Sequence, residues 1–140
     1  MTEDRLQMTE DGRQRTDMNQ PPIRDVEDLN VYQKAYLVSL EIHRTSLQFP
    51  KIEQYAIADQ MRRASKSVCA NLAEGFGKQS ISKPEFKRYL MIAMGSADEM
   101  RVWVKYSEDL GYIPAKQAIA WREEYQVIAK MLNGLHAKWG

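Results

Sequence analysis

Two glycines and a lysine, Gly75, Gly77 and Lys78, stand together in the stretch "ANLAEGFGKQS" and suggest a phosphate-binding loop. Such a loop cradles phosphate with backbone amides, but it requires the spacing GxxxxGK followed by Ser or Thr, after a strand. Here Leu72 occupies the position of the first glycine, Gln79 that of the hydroxyl residue, and helical periodicity precedes them. The stretch does not match a dinucleotide-binding turn either, because "GFGKQS" lacks a third glycine. The pattern instead predicts that Gly75 or Gly77 ends a helix as its left-handed C-cap residue.

The nucleophiles and metal ligands of the chain are too scattered for catalysis. Cys69 is the single cysteine; it has no histidine nearby in sequence and lies on a stripe of small helical residues, which favours a packing role. A di-iron bundle needs Glu three residues before each histidine, but Leu40 precedes His43 and Asn133 precedes His136. No Cys/His cluster has zinc spacing. We therefore predict no catalytic residue, no metal and no cofactor, with His43 packed against neighbouring side chains.

The carboxylates give no acid-base pair either. Those adjacent in sequence point about 100° apart around a helix, which is typical of a solvated surface. They are Asp98-Glu99, Glu108-Asp109 and Glu123-Glu124. Glu74 differs, because the predicted second helix ends there and a helix C-terminus disfavours negative charge. We expect a cation such as Arg63, Lys78 or a residue of a neighbouring helix, or else a contact with another subunit, to compensate it.

Four amphipathic helices account for nearly all of the apolar residues after position 28. Apolar positions recur every three or four residues over about 29–49, 52–74, 82–110 and 114–139, and no stretch has the alternation of a strand. The third helix has a heptad seam at Phe86, Leu90, Ala93, Ala97, Met100 and Val104. Short connections between long helices predict an all-α, antiparallel up-down-up-down four-helix bundle.

Local residues mark the predicted helix ends. Pro50 stops the first helix, since a proline disfavours helical geometry in the residue before it. The run "SKPE" forms a capping box in which Ser82 caps the third helix and Glu85 reaches back. Gly111 is placed to end that helix, and Pro114 to open the next one.

Charge divides the chain into a tail and a body. Residues 1–28 hold four Arg against eight Asp/Glu, a net charge of −4, with few large apolar residues, and are predicted to be a flexible acidic tail. Residues 29–140 hold sixteen Lys/Arg against eleven Asp/Glu, a net charge of +5, and form the predicted bundle domain. The lone cysteine, the start without a basic and apolar leader, and the lack of a long apolar run favour the cytoplasm.

Basic residues gather in two places once the antiparallel order is drawn. Arg62, Arg63 and Lys66 follow one another along the second helix. The turn between the second and third helices lies at the same end of the bundle as the start of the first and the end of the fourth. That end would hold Lys34, Lys78, Lys83, Lys87, Arg88, Lys130 and Lys138, with Tyr89 among them. Cations interleaved with aromatic rings can hold phosphates and stack bases.

Long stretches of the chain resemble a known family. They are "LNVYQKAYLVSLEIHR", "DQMRRASKSVCANLAEGFGKQSISKPEFKRYLMIAMGSADEM", "DLGYI" and "MLNGL". The pattern resembles the four-helix-bundle proteins encoded by intervening sequences in bacterial 23S rRNA genes (S23 ribosomal protein-like), and it extends to Avd, the accessory protein of diversity-generating retroelements. The resemblance implies a ring-like homopentamer without catalytic activity. It also implies that some members bind nucleic acid and a reverse transcriptase through a basic surface.

Carried over by position, the candidate nucleic-acid contacts are Arg62, Arg63, Lys66, Lys78, Lys87 and Arg88. The leading hypothesis is a non-catalytic oligomer that binds RNA or DNA and itself, with a reverse transcriptase as a possible protein partner. A structural or protein-binding scaffold is the alternative, and an unrecognised enzyme is the third reading.

Overall fold

The computed structural model describes residues 22–138, which form four α-helices and no strand. They are α1 (Asn30–Ser46), α2 (Ile57–Lys78), α3 (Lys83–Asp109) and α4 (Ala115–Lys138), with short 3-10 turns at Val26–Asp28 and Lys51–Glu53. Each helix packs against the one before it and the one after it, and α4 closes on α1, so that α1 and α3 lie diagonally across the bundle. The predicted four-helix bundle is confirmed.

Side-chain contacts show that neighbouring helices run antiparallel. Between α2 and α3, Ser67 bonds to Ser96 at 2.8 Å between hydroxyl oxygens, and further along the Ser107 hydroxyl contacts the Met61 sulfur at 3.3 Å. Because the partner number falls on α2 as it rises on α3, the two helices point in opposite directions. The buried faces of the two helices meet in a single core.

The core contains the predicted inward positions. All six residues of the α3 seam are at most 1% exposed, and α4 contributes Trp121, Tyr125, Ile128 and Leu132. On α1, the stripe through Val31, Ala35, Val38 and Ile42 is the buried one. Further apolar residues of α1 face outward, since Tyr36 and Leu47 are about half exposed. Trp139, the last residue of the predicted fourth helix, lies outside the described residues.

The predicted end of α2 is wrong. Gly75 and Gly77 both lie inside α2, which continues to Lys78, and neither has a positive φ. The physical reason is packing: Gly75 is buried against Tyr89 and Phe86 of α3, and this contact extends the helix by another turn. Glu74 therefore lies a turn before the helix end; its side chain is exposed, and no ion pair to it occurs among the described residues.

The predicted boundaries of α3 agree with the structure, whereas the predicted start of α2 does not. Ser82 caps α3 by accepting a hydrogen bond from the Glu85 amide at 3.3 Å, although the Glu85 carboxylate bonds Arg88 instead of reaching back. Gly111 follows α3 with φ +82°, the left-handed conformation expected of it. α2 begins at Ile57, five residues later than predicted, because a 3-10 turn at Lys51–Glu53 comes first.

The packed domain begins before residue 29. Asp25 caps the 3-10 turn Val26–Asp28 in a full capping box, and Val26 is buried against α1 and α2. The acidic residues of this turn are therefore fixed at the bundle end where α1 starts. Of the predicted acidic tail, residues 1–21 lie outside the described residues.

Candidate nucleic-acid interface

Arg62 donates three hydrogen bonds to the connection between α1 and α2. Its guanidinium donates to the buried Ser46 hydroxyl at 2.9 Å, and to the Gln54 side chain and backbone oxygens at 3.3 and 2.8 Å. Gln54 in turn donates to the backbone oxygens of Ser46 and Phe49. The guanidinium thus holds the connection between α1 and α2, a structural role that sequence reasoning missed.

Substituting alanine for Arg62 is expected to destabilise the fold by about 2 kcal/mol, because half-buried polar partners lose a charged donor. Arg63→Ala is the matched control. Arg63 lies one position on, is 75% exposed and pairs only with Asp59 at 2.8 Å. Such a surface pair contributes about 0.5 kcal/mol or less. Urea unfolding of both variants measures the difference, and equal stabilities would contradict the structural role of Arg62.

Lys66 lies one turn further along α2 and contacts α1. Its ammonium donates to His43 Nδ1 at 3.0 Å, which requires His43 to be neutral. Desolvation first, and then the charges of Lys66 and Arg62, lower the pKa of His43. His43 is therefore a packed helix–helix contact, as the sequence predicted, and Lys66 stays exposed beside it.

The second cationic group lies where α2 ends and α3 begins. Arg88 bonds both oxygens of Glu85, at 3.1 and 3.2 Å, and its guanidinium lies 4.6 Å from the centre of the Tyr89 ring. These hydrogen bonds, and more weakly the charge of Lys78, lower the pKa of Glu85. Burial and then the nearby Lys87 lower the pKa of His136 on α4. Lys78, Lys87 and Arg88 therefore share one end of the bundle, called here the basic end.

The two groups of candidate cations do not form one patch. Fifteen residues of α2 separate Arg63 from Lys78, which corresponds to about 22 Å along a helix axis. The basic end also holds the carboxylates of Asp25 and Glu27, which the 3-10 turn fixes near Tyr32. A single subunit therefore presents two small cationic groups rather than a continuous basic surface.

Two exposed apolar faces lie on diagonal helices. The α1 face consists of the exposed Tyr36, Leu37 and Leu47 with the half-buried Leu40, and the α3 face of the exposed Ile92, Tyr106 and Leu110 with the half-buried Trp103. Leu37 is 65% exposed and Tyr106 53%. Since α1 and α3 do not adjoin, the two faces point to opposite sides of the molecule.

The sequence profile of the family described as "23S rRNA-intervening sequence protein" matches residues 27–134. The chain belongs to this family. The match covers α1, α2, α3 and most of α4, and it includes the six candidate cations and both apolar faces, while residues 1–26 and 135–140 fall outside it.

A solved structure shares the fold of this family member. It is a protein of unknown function from the S23 ribosomal protein family of Bacteroides thetaiotaomicron, with a TM-score of 0.68 and 22% identity. The similarity covers 76% of this chain and 94% of that one. A comparison with curated proteins found no match.

In this family member Cys69 is a core residue. It is 8% exposed, and burial raises the pKa of its thiol to about 11, so the thiolate needed for nucleophilic attack is scarce at neutral pH. Nearby, burial also raises the pKa of Tyr125. Among the described residues no three acidic, histidine or cysteine side chains converge as a metal site would require. None of the described helices is long and apolar enough for a membrane span.

Proposed function

We propose that this protein is a non-catalytic, self-assembling bundle that binds RNA or DNA through cations repeated around a ring of subunits. The observation that carries the proposal is the pair of apolar faces on diagonal helices. Exposed apolar surface of this extent is typical of sites that another protein surface covers. The cytoplasm, which the sequence favours, is part of the proposal.

The positions of the faces favour a head-to-tail contact. In a symmetric dimer, each subunit uses the same patch, so one of the two faces would stay in water. If the α1 face of one subunit packs on the α3 face of the next, both are covered and the contact repeats until a ring closes. Five subunits, the number implied by the family resemblance, would form a particle of about 82 kDa, five times the chain mass of 16.3 kDa.

Assembly supports nucleic-acid binding because it multiplies a weak local charge. Lys78, Lys87 and Arg88 recur once per subunit, so a ring carries several copies within reach of one strand. The Arg88–Glu85 pair is exposed and costs little to open, so its guanidinium remains available to phosphate. The adjacent Tyr89 ring offers a stacking surface for a base.

Neutralising the basic end tests the proposed binding surface. The triple variant Lys78→Gln, Lys87→Gln and Arg88→Gln is expected to weaken binding of single-stranded RNA and DNA, because each cation lost removes a phosphate contact. The dependence of the binding constant on salt should become shallower by about one for each cation, measured by fluorescence anisotropy.

Lys116→Gln is the matched control, since Lys116 is exposed on the first turn of α4 at the opposite end. A triple variant that binds as well as the control would place the nucleic-acid contact elsewhere. Absence of binding by the unmodified chain would contradict the proposed function.

A scaffold that binds protein, with a reverse transcriptase as one possible partner, is the second candidate. The pairing of the cations favours it, since Arg62, Arg63, Lys66 and Arg88 each bond a neighbour in their own subunit. A scaffold and a nucleic-acid-binding ring share the same assembly. They differ in one result, since neutral variants of the basic end lose RNA or DNA binding only if the ring binds nucleic acid.

A further inference from the structure

A groove of about 410 Å³ runs between α3 and α4, away from the six candidate cations. Its walls include Arg101, Lys105 and Tyr106 of α3 and Arg122 of α4. It opens on the α4 side of α3, whereas Ser96 of α3 faces α2. Tyr106 alone belongs to both the groove and the α3 face, so a ring contact would border the groove without filling it.

Two half-buried arginines line this groove, and each has one buried nitrogen without a partner in the described chain. Arg101 and Arg122 approach it from different helices, and the Nε atom of each is buried without a hydrogen-bond acceptor among residues 22–138. Neither guanidinium forms an ion pair with any described carboxylate. An Nε–H group that is buried without an acceptor costs free energy, and two like charges lining one groove add to that cost. An anion placed between them would offset both.

The remaining groups of the groove have complementary chemistry. Lys105 is already bound to Asp109 at 3.0 Å, so it contributes little net charge. Asp98 lines the groove as an acceptor with no ion-pair partner in the described chain. Val102 and Tyr106 are about half exposed and supply an apolar and aromatic wall. The Trp103 ring lies 6.0 Å from that of Tyr106 and supports it from the other side.

We propose that this groove is a nucleotide-binding subsite. Arg101 and Arg122 hold the phosphate, because a guanidinium presents paired donors that match phosphate oxygens. The base lies against Tyr106 and Val102, and Asp98 accepts a hydrogen bond from a ribose hydroxyl or a base amine. A volume of about 410 Å³ is within the range of small-ligand pockets. The nucleotide is either free or part of a bound strand; only the second source rests on the proposed function.

A nucleotide fits these groups better than an acidic peptide does. A carboxylate-rich segment would satisfy the arginines but would bring negative charge against Asp98 and Asp109. A nucleotide places one anionic group at the arginines and neutral donors elsewhere, so that the acids become acceptors rather than sources of repulsion. The nucleotide base also stacks on the aromatic wall, which raises the affinity.

Sequence reasoning missed this groove, although a periodic pattern marks it. Asp98, Arg101, Lys105 and Asp109 recur at steps of three, four and four on one side of α3. Such a charged stripe is ordinarily a solvated surface, and only the position of Arg122 on α4 makes it half of a groove.

The experiment titrates the full chain with adenosine monophosphate, inorganic phosphate and a short glutamate peptide, read by tryptophan fluorescence and calorimetry. Trp121 is buried in the core, and Trp139→Phe is introduced in every sample, so that Trp103, beside Tyr106, reports on the groove. Adenosine monophosphate should bind better than phosphate, and Arg101→Gln or Arg122→Gln should weaken it by about tenfold or more. Lys116→Gln should bind as the unmodified chain does, and circular dichroism checks that each variant is folded.

Two further arms separate the sources of the nucleotide. If adenosine monophosphate competes with a labelled oligonucleotide, and if Arg122→Gln also binds the oligonucleotide more weakly, the groove binds a nucleotide of a strand. Nucleotide binding without competition assigns it to a free ligand. Equal binding of phosphate and nucleotide, preference for the glutamate peptide, or arginine variants that bind nucleotide normally would each overturn the proposal. Those results leave RNA binding at the basic end untouched.

Discussion

Replacing Leu37 with glutamate is expected to break the proposed ring into monomers of about 16 kDa. Leu37 is 65% exposed in the isolated chain, and the proposed ring buries it against the α3 face of the next subunit. A carboxylate buried there without a partner costs several kcal/mol per contact, more than a single subunit interface can absorb. Light scattering at micromolar concentration measures the mass. Since Leu37 is exposed in the monomer, its thermal stability should change little.

Ile92→Glu on the α3 face should have the same effect, and mixing the two variants tests the head-to-tail geometry. Leu37→Glu keeps an intact α3 face and Ile92→Glu an intact α1 face, so an equimolar mixture should form dimers with one sound interface. Ile119→Glu is the control, because Ile119 is 55% exposed on α4, outside both faces. Dimers in either variant alone would indicate a symmetric contact and contradict the ring.

Gly75→Ala is expected to lower the free energy of unfolding by about 1 to 3 kcal/mol. A β-carbon at Gly75 would lie 2.8 Å from the β-carbon of Tyr89 and 3.3 Å from the backbone oxygen of Phe86. Neither atom is the free end of a flexible side chain, so α2 and α3 would have to separate. Thermal unfolding should show a decrease of several degrees for a domain of this size.

Gly77→Ala, two residues away, is expected to have the opposite effect and to stabilise the protein. A β-carbon at Gly77 meets no atom within 4 Å, and the residue is exposed inside α2. Alanine has the better helix propensity, so this variant should gain about 0.5 to 1 kcal/mol. If both variants changed stability equally, the close approach of α2 and α3 at Gly75 would be wrong.

The glycines show what periodicity could and could not predict. The predicted seam of α3 was correct because side-chain spacing alone determines which residues share a helix face. Gly75 and Gly77 suggested a helix end, since glycine often adopts the left-handed conformation there. The deciding contact was with Phe86 and Tyr89, which belong to another helix and are invisible to a local pattern.

The candidate site was predicted less completely than the fold. Charge and spacing located the cations, but they could not show that Arg62 turns inward onto Ser46 and Gln54. Nor could they show that Arg101 and Arg122 line one groove from different helices, because the relative rotation of α3 and α4 depends on packing. Which cations remain available to a ligand is a property of the tertiary structure.

One measurement tests the central claim most directly: binding of single-stranded RNA of about 20 nucleotides to the full chain between about 50 and 200 mM salt. Three cations from the basic end of even one subunit predict a slope of about −2 or steeper in the logarithm of the binding constant against that of salt. In sedimentation, each RNA strand should carry several protein subunits. Binding that does not change with salt, or RNA that binds no better than it does to a neutral control protein, would contradict the account.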